Sequence, residues 1–159
     1  MNLGIPFERM LAWDHWGNGQ ALASAEAMPD PPAKAAYLVA HLLGAQVAWM
    51  QRMTKGTDPE DWERWEKLDI PATRKVWAEE VPPQWAAFLA DPVLSAPDRS
   101  FHYRNFLGDE YDARVEDALL QLMFHGSYHR GQVASAIRAA GGTPAVTDYI
   151  RALRSGAIS

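Results

Sequence analysis

Long stretches in which apolar side chains recur every three or four residues, cut apart by clusters of proline and glycine, leave this chain few folds other than helices packed on one another. Such a stretch carries one apolar stripe along a helix, and that stripe has to be buried against another element. The pattern runs from about Phe7 to Met28 and is stopped by Pro29-Asp30-Pro31-Pro32. A second helix is expected from about Ala33 to Met53, ending near Lys55-Gly56. A third starts after Pro71 and carries Val76, Trp77, Trp85, Phe88 and Leu89, with Pro82-Pro83 kinking or dividing it. The fourth runs from about Val115 to Ala140, where Gly141-Gly142 terminates it and Thr143-Pro144 closes it.

Lesser elements fill the gaps. The stretch Asp58 to Leu68, charged around two tryptophans, reads as a short surface helix opening at Asp58-Pro59. Aromatic residues on either side of Gly108-Asp109, between Ser100 and Arg114, read as a small hairpin. A short last helix is expected from Thr147 to about Arg154. Four long amphipathic segments with short connections and no internal repeat or linker give an all-α helix bundle with a hairpin appendage, one domain over residues 1–159.

Composition narrows the chemistry. With no cysteine, disulfides, thiolate metal sites and cysteine nucleophiles are all excluded. A net charge of −5 without a Lys/Arg cluster offers no footprint for nucleic acid. The longest apolar stretch, Ala35 to Met50, falls short of the ~20 residues that cross a bilayer. MNLGIPFERM lacks a signal-peptide pattern, so a cytoplasmic location is expected. Seven tryptophans have to enter a core, a pocket lining or a subunit interface.

Chemistry is sought among the histidines, because bundles build metal sites in their cores from side chains on facing helices. His125 and His129 are four apart on the fourth helix, so both project from one face, a turn apart. His41 lies among Leu38, Val39, Leu42 and Leu43, where an imidazole needs a partner. The three would make a three-nitrogen metal site with open positions; the alternative is one core histidine and two in water. His15 reads either as a fourth ligand or proton carrier at the same pocket, or as a satisfied histidine elsewhere. Gln132, on the stripe of His125 and His129, and Asn18 on the first helix are candidate pocket contacts or plain polar side chains in water. His102 reads as solvated, and Gly126 and Gly131 suggest a close helix approach near the metal face.

The segment FHGSYHRGQVASAIRAAGGTPAVTDYI, Phe124 to Ile150, resembles the C-terminal signature of the DinB/YfiT-like family, a helical H-x-x-x-H-R-G-Q followed by a glycine-rich stop and Thr-Asp-Tyr. YLVAHLLGAQVAWMQRM resembles that family's second helix with its central histidine, and LAWDHWGNGQALA its first. The resemblance implies an up-down-down-up four-helix bundle, usually a homodimer, with a divalent metal held by one histidine of the second helix and two of the last. In this sequence those residues are His41, His125 and His129.

The resemblance further implies a metal-dependent hydrolase, or a transferase or isomerase using a low-molecular-weight thiol. Three neutral imidazoles leave the ion's charge uncompensated, which activates a water or a thiol against a small-molecule substrate. Zinc or nickel is the expected ion, and no residue stands out as a general base. The reading from another class is a non-catalytic homodimer that binds a metal or small ligand.

Overall fold

The computed structural model describes residues 7–61 and 63–159; the first six residues of MNLGIPFERM, read above for a signal peptide, and Trp62 lie outside the described residues. Helix α1 spans Phe7–Glu26 and α2 spans Ala33–Lys55, with Pro32 in extended conformation at the start of α2. Gly56 ends α2 in the left-handed region at φ 74°, and its N–H donates to the Arg52 carbonyl at 3.1 Å. Arg52 and Lys55 lie in that last turn, where the helix dipole favours cations.

The connector helix α3 is a single turn, Glu63–Glu66, rather than the longer one expected from Asp58. Asp58 opens no helix because its carboxylate is engaged elsewhere. It accepts from Arg52 Nε at 2.5 Å, Arg52 Nη2 at 3.0 Å and the Phe106 N–H at 2.8 Å, tying this loop to α2 and the hairpin. The expected third helix is two: α4, Ile70–Glu79, and α5, Val81–Ala90. Asp69 caps α4 by accepting the Ala72 N–H at 2.8 Å, and Pro71 sits inside the first turn rather than before it. The break at Glu80 precedes Pro82-Pro83, because in the first turn of α5 those prolines need no N–H partner.

Strands β1, Ser100–Arg104, and β2, Glu110–Arg114, pair antiparallel with Tyr103 opposite Tyr111. One cross-strand pair carries complementary charge, Arg104 with Glu110 at 2.5 Å, and a second is joined by a hydrogen bond, His102 Nδ1 with Asp112 Oδ1 at 3.0 Å, so His102 is exposed but partnered. Helix α6, Val115–Ala139, follows at once and ends at Gly141 (φ 80°). The last short helix, α7, covers Tyr149–Arg154.

Two apolar clusters make up the core. One gathers Leu11, Leu43, Met50, Trp85, Phe88, Leu119 and Leu122 among others; the second gathers Leu22, Leu38, Val39, Ile70, Val133 and Ile137. Helices α1 and α6 therefore run from the first cluster toward the second, while α2 and the α4–α5 pair run the opposite way. Helix α6 packs against both α1 and α2, and α4 contacts those same two helices from another side. No described helix is long and apolar enough to cross a membrane. Where the two clusters part, at mid-length of α1, α2 and α6, the chain places its polar interior groups.

Candidate metal centre

His41, in the middle of α2, meets His125 and His129 on α6, and one ligand nitrogen from each lies within 4.8 Å of the others. The ring centroids are 5.0 Å apart for His41 and His125, 4.8 Å for His41 and His129, and 4.3 Å for His125 and His129. The i, i+4 spacing on α6 sets the last distance, and the packing of α2 on α6 sets the other two. Each ring is half-buried. Burial, with the neighbouring His129 and His41, pushes the His125 imidazole down to about 4. Burial and His129 also depress His41, against an upward pull from Glu66. Both rings are therefore neutral near pH 7, the form that ligates a metal.

The atoms behind the rings suit a metal as well. His129 Nδ1 lies 3.0 Å from Gln132 Oε1; an amide oxygen only accepts, so Nδ1 carries the proton and Nε2 keeps its lone pair. Glu66 Oε1 stands 3.8 Å from His41 Nδ1 and takes the Tyr37 hydroxyl at 3.1 Å. His125 Nε2 is buried with no hydrogen-bond partner, a costly arrangement that an ion between the three rings would relieve. Beyond His41 and His125 opens a cavity of about 400 Å³.

His15 is not part of this cluster. Its ring stands edge-on to Trp85 and Trp77, with centroids 5.6 and 5.9 Å away, and its Nε2 lies 3.2 Å from Gln46 Oε1. The satisfied-histidine reading holds. Asn18 is likewise neither a pocket contact nor in water, since it belongs to a buried network centred on Asp14. Asp14 accepts from Arg130 Nη1 at 2.6 Å, from Gln46 Nε2 at 2.7 Å and from Asn18 Nδ2 at 3.0 Å; the same Arg130 nitrogen donates to Asn18 Oδ1 at 2.7 Å. Burial raises the Asp14 carboxyl, while Arg130, Asn18 and Gln46 pull it down. The Arg130 guanidinium also stacks on Trp13, 4.8 Å from the ring centroid.

This network escaped the sequence reading, although one signal was present: Arg130 falls on the same stripe of α6 as Gly126, Val133 and Ile137. Gly126 does mark a close helix approach, but to α1, since a methyl group there would overlap Asp14 Oδ1. A Cβ on Gly131 would meet nothing within 4 Å, so packing does not explain that glycine.

Burial holds the His15 pKa at about 4, well below the ordinary imidazole value of 6.5. The unfolded chain binds the extra proton between those values, so His15's contribution is fully present above pH 6.5 and is lost as pH falls toward 4. The loss is about 3 kcal/mol at 1.36 kcal/mol per pKa unit. Denaturant midpoints measured from pH 7.5 to 4.5 are expected to fall more steeply for the parent than for His15→Gln, which keeps a donor for Gln46. Parallel curves would refute the assignment.

Of the tryptophans, Trp65 and Trp85 are buried in the core, and Trp49 and Trp65 line the cavity beside the histidines. The family model described as "DinB family" matches residues 30–157. No curated protein and no solved structure matches the chain.

Proposed function

This chain belongs to the DinB family, and from that premise we propose that it is a cytoplasmic metal-dependent enzyme holding one zinc or nickel ion at His41, His125 and His129. In this reading α1, α2, the α4–α5 pair and α6 are the four members of an up-down-down-up bundle in a single domain. The reaction is hydrolysis or transfer of a low-molecular-weight thiol. The observation that carries it is the convergence of the three imidazoles, with His125 Nε2 buried and unpartnered, beside an open cavity.

Held by three neutral imidazoles, a divalent ion would supply positive charge that lowers the pKa of an adjacent water or thiol, making a nucleophile near neutral pH. The chain's own residues do the rest. Gln132 fixes the tautomer of His129, and Glu66 biases His41 toward carrying its proton on Nδ1. Trp49 and Trp65 wall the cavity and exclude water from the substrate. His15 is committed to Gln46, so among the described residues no fourth histidine closes the site, and this favours an exchangeable position over a structural one.

The homodimer belongs to the same proposal. Phe124 and Tyr128, one turn apart on α6 and 71% and 66% exposed, form an apolar strip that a second copy would cover. The test of the function is elemental analysis of the purified chain, titration with zinc and nickel after chelation, and thiol-transfer and hydrolysis assays on the loaded protein. One ion per chain with activity lost on chelation is expected. One ion without turnover favours the non-catalytic binding dimer, and no ion refutes the metal reading.

A further inference from the structure

The cavity beside His41 and His125 is a trough along α2. Gly44, Ala45 and Ala48 form its floor, and Trp49, Trp65 and Phe106 stand along its sides. Small residues at these helix positions leave room where larger ones would fill it. Gly44 also admits Trp65, since a Cβ there would come within 3.0 Å of the tryptophan's own. One end is marked by the two histidines with Glu66 and Gln121, the other by Arg52 and Asp58. From His41 to Arg52 the helix rises about 16 Å at 1.5 Å per residue.

The charge on the lining selects the occupant. Arg52, the only cation on the described lining, gives both Nε and Nη2 to the Asp58 carboxylate, and its face lies 4.6 Å from the centroid of Trp49. The Arg52–Asp58 pair and Glu66 put the lining's charges at its two ends, and between them Gly44, Ala45, Ala48, Trp49, Trp65 and Phe106 offer a charged body, of either sign, no side chain of opposite charge. An apolar body needs none, because its burial is driven by the area it removes from water.

We infer that the trough receives the straight acyl- or alkyl-type body of an uncharged substrate whose polar, metal-ligating head lies at the His41–His125 end. This rests on the proposed metal site for the head and on the trough alone for the body, so the two can fail separately.

The test uses two ligand series on the full chain: straight-chain hydroxamic acids from acetyl to decanoyl on the zinc-loaded protein, and straight-chain primary alcohols, which need no metal. Binding is read by isothermal titration calorimetry. In both series affinity is expected to rise about fourfold per methylene until the tail reaches the Arg52–Asp58 end, with the hydroxamates tighter throughout. In Ala48→Phe, which fills the floor, the dependence on chain length is expected to disappear while acetohydroxamate binds as before. If affinity ignores chain length in both series, or if the gain survives in Ala48→Phe, the inference is overturned. Should the alcohols show the gain and the hydroxamates no advantage, the trough stands and the metal reading falls.

Discussion

Arg130→Met is expected to cost about 3–5 kcal/mol of folding free energy, because it leaves the Asp14 carboxylate buried without its cation. Asp14 is fully buried and Arg130 is 3% exposed, so water cannot replace the lost partner. Domains are typically stable by only about 5–15 kcal/mol, which makes this a large fraction of the total. Asn18 and Gln46 remain as donors to the carboxylate, but neither carries charge, and Asn18 Oδ1 loses the Arg130 donor. The double variant Asp14→Leu, Arg130→Met is expected to recover most of the loss, since replacing a buried pair by apolar residues is often close to neutral. Urea unfolding of the parent, the two single variants and the double variant measures the coupling directly. Equal and small losses in both single variants, under about 1 kcal/mol, would remove the pair from its place as the link between α1 and α6.

His125→Ala is expected to weaken zinc binding by more than about a hundredfold, since losing even a partner that merely orients a ligand costs 10–100-fold. At an ion concentration a thousand times its Kd, zinc is expected to stabilise the parent by about 4 kcal/mol, and the resulting shift in melting temperature should vanish in the variant. In the metal-free state the order reverses in meaning. His125 Nε2 is buried without a partner and the ring's pKa is pushed down to about 4, so its removal relieves a cost and the apo variant should melt close to the apo parent. Calorimetry of all four samples, with and without zinc, checks both halves. Unchanged zinc affinity in His125→Ala would falsify the three-histidine site.

The long helices were readable because their causes are local. Apolar spacing, the proline cluster after α1, Gly56 and the glycines after α6 act within a few residues of one another, and the observed ends lie within two residues of those expected for α1, α2 and α6. The connector helix is shorter than its sequence suggests because Asp58 binds Arg52 and the Phe106 N–H, and neither partner lies within the eleven residues from Asp58 to Leu68. The break between α4 and α5 was legible as a fact about Pro82-Pro83, but its position depended on those prolines being usable in a first turn.

The candidate site divides in the same way. The sequence by itself determined that His125 and His129 share a face and that His41 sits in an apolar helix, because helical periodicity depends only on neighbours along one chain. Only the tertiary structure decided which helix each stripe meets. Successive residues on α6 are turned by about 100°, so the stripe of His125 and His129 faces His41 on α2, while the adjoining stripe of Gly126 and Arg130 faces Asp14 on α1. Packing likewise put Asn18 on the ion pair and His15 against Gln46 instead of the metal face, and Gln132 on His129 instead of in water. Rotation of one packed helix against another is set by the fit of whole apolar faces, and no short stretch of sequence contains it.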